Sequence, residues 1–172
     1  MANRAKNKYE FKDNVCIGYT SSGKTFIFDK FNYDKVSQHI WHISKFGYVI
    51  SQITLNNGKQ ERFSMHRLLT ECPSDKIVDH INRNKADNRI SNLRICSRRE
   101  NAFNVSTQKR NKLGAKGVSL THCGTYQAQI QIDGKQKYLG SYKTIKEASD
   151  AYDVAAKEYF GEFASLNNYN DC

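Results

Sequence analysis

The stretch from Val78 to Asn101, reading VDHINRNKADNRISNLRICSRREN, holds the residues whose types and spacing could do chemistry. Asp79 and His80 close what reads as a short strand, and a polar, Asn-rich turn follows. Asn92 then opens a second strand, and Asn101 lies one turn into a helix. That is the order of parts in a metal-dependent phosphodiester-cleaving hairpin. Hydrolysing a phosphodiester takes an activated water, neutralisation of charge on a phosphorane-like transition state, and stabilisation of the leaving oxygen. A neutral imidazole, with a reference pKa of about 6.5, can take the water's proton near neutral pH. A carboxylate and an amide oxygen form a hard, oxygen-rich site suited to Mg²⁺ or Mn²⁺. Neighbouring side chains on a strand point to opposite faces, so one of the Asp79-His80 pair can serve a metal while the other reaches the scissile phosphate. An Asp-His pair taken alone is usually structural; the residues around it carry the weight.

The elements that must position this pair follow from pattern. Lys76 to Asp79 and Leu93 to Cys96 are expected as the strands of the hairpin. Ser97-Arg98-Arg99-Glu100 is a capping box that starts the next helix and puts Asn101 in its first turn, where the helix dipole favours an anionic ligand. Asn84, Asp87 and Asn88 are expected to shape the turn, since such side chains bond to nearby backbone. Upstream, Met65, Leu68, Leu69 and Cys72 fall at helical spacing before Pro73, which places His66 and Arg67 away from that apolar stripe. Either could approach a phosphate, and a hydrogen-bonded structural role for His66 is equally open. Before that helix, Val15–Thr20, Thr25–Phe28, Ile40–Ser44, Tyr48–Leu55 and Gln60–Ser64 read as strands, with turns at Ser-Ser-Gly-Lys and Asn57-Gly58 and a short helix over Tyr33–Gln38. The residues before them read as a basic, frayed terminus. A motif of about 40 residues seldom buries enough apolar surface to fold alone. The N-terminal sheet, with Trp41, Tyr48 and Phe63, is therefore expected to pack against it.

After the hairpin the apolar periodicity vanishes and basic residues collect. Residues 105–113 read as a linker, either a solvated loop or a cationic tether along a nucleic-acid groove. Gly117–Leu120, Tyr126–Ile132 and Lys137–Tyr142 then read as three strands. A second capping box, Thr144 to Glu147, begins a helix with the stripe Ile145, Ala148, Tyr152, Ala155, Ala156 and Tyr159, stopped at Gly161. Ala128, Ile130 and Ile132 alternate with Gln127, Gln129 and Gln131, so one sheet face meets the helix and the other presents amides. A ribbon of that kind fits the major groove, where Gln can contact adenine with two hydrogen bonds.

Composition narrows the partners. The 172 residues allow one ordinary domain or two small ones, and 27 Lys and Arg against 17 Asp and Glu give a net charge of +10. With a pI near 9.4 and a mean hydropathy of −0.74, the chain reads as soluble and suited to a polyanion. No apolar run approaches the ~20 residues of a membrane helix, and the first residues lack a signal-peptide core. The protein is expected to act in the cytoplasm. Its five cysteines are scattered without a CxxC pair, which suggests reduced thiols rather than a zinc knuckle.

The full string His66-Arg67-Leu68, Val78-Asp79-His80, Asn84, Asp87-Asn88, Ser91-Asn92-Leu93-Arg94 and Glu100-Asn101 resembles the HNH nucleases of the ββα-metal fold, in the subfamily of phage and intron-encoded homing endonucleases. The likeness covers about residues 60 to 104. It implies that His80 is the general base, that Asp79 and Asn101 are the metal ligands, and that Asn92 braces the hairpin loop and so orients the base. Asn101 stands where many members carry a final His, a change known in the homing subfamily and one that favours Mg²⁺ over softer metals. Arg67 and Arg94 are candidate phosphate contacts, with surface salt bridges as the alternative.

The stretch from Lys116-Gly117-Val118 through Tyr126–Gln131, Tyr138-Leu139-Gly140-Ser141-Tyr142 and Ala151–Ala156 to Asn167 resembles the plant ethylene-response-factor (Apetala-type) DNA-binding domain. Plant members place arginines where this chain has Ser119, Thr121, Gln131 and Gln136, and Tyr138 takes the usual Trp position. Their G·C preference therefore does not transfer. Lys116, Gln129, Gln131 and Tyr138 are the candidate DNA contacts; a stability cap or a protein-binding surface is the alternative for this module.

The expectation is an α+β protein: residues 1–104 as an N-terminal antiparallel sheet packed with a ββα-metal HNH motif (core 64–104), a linker over 105–113, and residues 114–168 as a three-stranded antiparallel sheet plus helix that binds DNA. The implied activity is sequence-directed, divalent-metal-dependent cleavage of double-stranded DNA by a homing-type endonuclease. It is expected to act as a monomer in a bacterial or phage-infected cell, with no membrane and no small-molecule substrate. A non-catalytic DNA-binding regulator and a restriction or repair nuclease are the alternatives.

Overall fold

The computed structural model describes residues 6–104 and 111–167. It divides into two compact units, Met1–Arg98 and Arg99–Cys172. Most of the expected linker, residues 105–110, lies outside the described residues.

The first unit opens with β1 (Lys8–Lys12), β2 (Val15–Tyr19) and β3 (Thr25–Asp29), an antiparallel meander in that order. The segment expected to be a frayed terminus is therefore a sheet edge from Lys8 onward. Its pattern explains both the strand and the misreading. Lys8, Glu10 and Lys12 face water, as suits an edge strand, while Tyr9 and Phe11 share the other face and meet Tyr33 edge-on at 5.4 and 5.0 Å.

The short helix α1 (Tyr33–Ser37) leads to a second meander of β4 (His42–Ile43), β5 (Val49–Thr54) and β6 (Gln60–Ser64). Helix α2 (Met65–Thr70) follows directly and ends at Glu71, which takes a left-handed conformation at φ 50°. The core of this unit gathers Phe26, Phe28, Trp41, Val49, Met65 and Leu69 into one cluster, with Phe63 and Ala86 packed against it. Burying each large apolar side chain contributes about 1.5–3 kcal/mol, and the Trp41 indole keeps a partner by donating to the Val36 carbonyl at 2.9 Å.

The hairpin is β7 (Ile77–His80) and β8 (Leu93–Cys96), paired antiparallel so that Asp79 faces Arg94 and His80 faces Leu93. Its long loop is joined to β3 by backbone. Ile27 donates to Ala86 O at 2.9 Å and accepts from Asn88 N at 2.8 Å, while Ile90 N donates to the Asp29 carboxylate at 2.6 Å. Helix α3 (Arg98–Phe103) follows.

The second unit holds β9 (Val118–Leu120), β10 (Tyr126–Ile132) and β11 (Lys135–Tyr142), with β10 central, and α4 (Ile145–Phe160). The expected capping box forms in full: Thr144 Oγ1 accepts from Glu147 N, and Glu147 Oε2 accepts from Thr144 N. Ala128 and Ile130 turn toward the buried side of α4, where Ala148, Tyr152, Ala155 and Ala156 lie. Tyr159, expected on the same stripe, is instead partly exposed, at 39%. A bulge between Ala128 and Gln129 shifts the pairing with β11, so that Gln129 stands opposite Tyr138.

Candidate functional site

The chemistry-bearing residues of the first unit sit where the hairpin strands end. Asp79 and His80 close β7, and both are buried, with 7% and 4% of their surfaces exposed. The register sets Arg94 directly across from Asp79, and its guanidinium donates to Asp79 Oδ2 from Nε at 2.9 Å and Nη2 at 2.7 Å. Opposite charges at facing strand positions are a signal the sequence carried, once the register is known.

Asn92 ties the two arms of the loop together. Its Oδ1 accepts from Asn82 N at 2.9 Å and its Nδ2 donates to Asp87 O at 2.8 Å, while Ile81 N donates to its carbonyl at 2.9 Å. Asp87 is the second anchor, accepting from Arg89 Nε and Nη2 at 2.8 and 2.6 Å and from Asn82 Nδ2 at 2.9 Å. Burial alone would raise the Asp87 pKa, but the hydrogen bonds from Arg89 and Asn82 outweigh it and hold the carboxyl below its usual range. Asn84 closes the turn by accepting from Ala86 N at 3.1 Å. A loop bonded this densely fixes the strand end that carries His80.

Burial pushes the His80 pKa below that of an exposed histidine; Lys85 adds to this, whereas the Asn88 side chain and the Asp79 and Asp87 carboxylates oppose it. That direction favours the neutral form of the ring.

His66, expected to lie off the buried face of α2, is buried instead, with 8% of its surface exposed. Its ring meets that of His80 edge to face, with centroids 5.1 Å apart. Helical periodicity missed it because α2 begins directly at the end of β6, so the fold contacts more than one side of a helix only six residues long. Arg67 donates to the carbonyls of Lys76, Cys72 and Pro73 at 3.0, 3.0 and 2.8 Å and so clamps the loop between α2 and β7.

Asn101 is carried by α3 and is half-buried, in the second compact unit. Asp79 and Asn101 offer carboxylate and amide oxygens, the donor chemistry of a hard divalent ion. By donor type, each of the two residues fits such an ion. Among the described residues no group of three or more His, Cys, Asp or Glu side chains is placed to hold a metal.

In the second unit, Lys116, Gln129 and Gln131 line one cavity of about 840 Å³ together with Arg99, Phe103 and Phe160. The Lys116 ammonium donates to the Phe103 carbonyl at 3.1 Å, and Phe103 stacks on Phe160 with centroids 4.1 Å apart. Tyr138 is 59% exposed on β11, its hydroxyl bonded to Ser141 Oγ at 3.0 Å.

Comparison with known proteins agrees with the hairpin. The family model described as HNH endonuclease matches residues 70–103. A protein of Acanthamoeba polyphaga mimivirus, named as an uncharacterized HNH endonuclease, is 37% identical over 134 residues, spanning 77% of this chain and 68% of that protein. Protein 3.8 of Escherichia phage T7 is 29% identical over 93 residues, spanning 54% of this chain and 76% of that protein. A solved structure titled for DNA binding and cleavage by the HNH homing endonuclease I-HmuI aligns over 89% of this chain and 91% of its own, at 20% identity and a TM-score of 0.36. So low a score leaves the fold to stand on its own packing. The mimivirus relative, matched over two thirds of its length, and the hairpin with Asp79, His80 and Asn92 together place the chain in the HNH endonuclease family.

Proposed function

We propose that this chain is a homing-type DNA endonuclease in which His80 takes the proton of the attacking water. What supports the reading most is the place of His80 at the end of β7, next to the Asp79 carboxylate and on a hairpin whose loop is cross-bonded by Asn92, within the residues the HNH family model matches. Asp79 and Asn101 are the oxygen donors to Mg²⁺ or Mn²⁺, by the family pattern and by donor type. HNH nucleases generally use a divalent metal, and the ion when bound supplies charge neutralisation at the phosphate and the leaving 3′ oxygen.

The chain's own groups do the rest. His80 accepts the proton at an imidazole nitrogen. Asn92 holds the loop, and through it the strand end, so that the ring does not have to be ordered during the reaction. Arg94 restrains the Asp79 carboxylate, and a phosphate contact from Arg94 or Arg67 would share the guanidinium with the partners described above. The second unit is the DNA reader, similar to the ethylene-response-factor domain, with Lys116, Gln129, Gln131 and Tyr138 as its contacts. Support for this comes from the net charge of +10 and from the exposed Tyr138 beside Gln129 across the bulge.

The test is incubation with supercoiled plasmid and phage genomic DNA, with Mg²⁺ or with EDTA, followed by mapping of the ends on both strands. Cleavage at defined positions that requires the metal is the expected result. Intact DNA with both Mg²⁺ and Mn²⁺ would overturn the nuclease reading, and randomly scattered ends would overturn the homing type.

A further inference from the structure

We infer that His66 is a positioning residue for His80: with Tyr48 it forms an aromatic wall that holds the His80 imidazole in one orientation. The inference rests on the reading of His80 as the base and gives a role to a residue that lies outside the span matched by the family model, residues 70–103. Three rings converge here, from α2, from the end of β7 and from the loop just before β5. The His66 and His80 centroids are 5.1 Å apart at an interplanar angle of 83°, and Tyr48 lies 5.4 Å from His66 and 6.2 Å from His80.

Each member of the wall is itself tied down. The hydroxyl of Ser64, at the end of β6, lies 3.0 Å from His66 Nε2, and Thr70 Oγ1 donates to the His66 carbonyl at 2.7 Å. The Tyr48 ring carries the Lys85 ammonium over its face at 4.3 Å, and the same ammonium donates to Phe46 O at 3.0 Å. His66 Nδ1 is buried with no hydrogen-bond partner among the described residues, so on that side ring contacts rather than a polar bond set the ring's place.

This arrangement answers a mechanical need. An imidazole at a strand end rotates about two side-chain bonds, whereas a base must be held within about 10–20° of its working geometry. A loop that fixes only the backbone leaves those rotations open, and a perpendicular ring against the imidazole closes them. Burial pushes the His66 pKa down to about 4, with His80 and Arg67 adding to the effect.

The experiment compares His66→Ala, His66→Phe and Ser64→Ala in the full chain, reading single-turnover plasmid cleavage and DNA affinity separately, with His80→Ala as control. His66→Ala should slow cleavage roughly tenfold to a hundredfold at unchanged affinity. His66→Phe, which keeps a ring, should recover most of that rate, and Ser64→Ala should show a smaller loss of the same kind. Wild-type cleavage by His66→Ala, a parallel loss of affinity, or a Phe variant as slow as the Ala variant would each overturn the inference. If His66→Ala does not fold, Tyr48→Leu decides: slower cleavage at unchanged affinity supports the wall, and an unchanged rate removes it. Undiminished cleavage by His80→Ala would instead strike at the base assignment, so the two failures are distinguishable.

Discussion

The two units bury different things. The first hides rings and polar groups together: Phe26, Phe28 and Trp41 belong to the core, while Asp79, His80, Asp87 and Asn92 are also buried, the first, third and fourth of them in side-chain hydrogen bonds. The second sets five alanines, Ala115, Ala128, Ala148, Ala155 and Ala156, beside Val118, Ile130 and Tyr152, so that α4 lies close on its sheet. Gly117 marks how close, since a Cβ there would stand 2.1 Å from the Tyr152 ring. The candidate DNA contact Tyr138 stays in solvent. The difference teaches where order must be supplied. A reacting group has to be held before the substrate arrives, whereas a reading group can be ordered by what it reads.

If that contrast holds, the largest effect comes from the most deeply held group. His80→Ala should cut the cleavage rate by about 10²–10⁴-fold while DNA affinity, measured by titration without divalent metal, stays level. Next comes Asn92→Ala, which leaves Asn82 N and Asp87 O without their partners. At about 1–3 kcal/mol for each buried group left unmade, denaturant unfolding should show the first unit giving way early and the second unchanged. Loss of the second unit first would reverse the comparison.

Acid should also act on the first unit. His66 has a folded pKa of about 4 and an ordinary unfolded one, so the unfolded chain binds more protons between them. Stability is full above about pH 6.5 and falls by about 3 kcal/mol on acidification through about pH 4; a melting series against pH, with His66→Phe as the insensitive reference, reads it. The smallest effect belongs to Tyr138→Ala: a loss of DNA affinity of about tenfold, with the rate on bound DNA unchanged. A change in that rate would mean that the exposed tyrosine does more than read.

The parts of the molecule legible in its residues were those governed by neighbours along the chain. The β8 span, the capping box at Thr144 and the alternation through Ala128 and Ile130 depend on local pattern, and they form as read. The failures involve partners far away in the chain. Strand β1 was hidden because three charged residues on a sheet edge look like a tail until Tyr33 is seen against Tyr9 and Phe11. The burial of His66 depends on how β6, α2 and β7 meet, and no spacing within α2 encodes that. The carbonyls that engage Arg67 belong to a loop whose course depends on the left-handed turn at Glu71.

The joint between β3 and the hairpin loop sets the size of the piece that can travel. Ile27 offers the loop only its amide and carbonyl, so almost any side chain at that position could serve, and a comparison of side chains alone passes over it. A fragment starting at residue 60 would retain every residue of the motif yet expose the Ala86 carbonyl and the Asn88 amide to water. Recombination or grafting that is to keep the hairpin ordered must carry the first three strands with it.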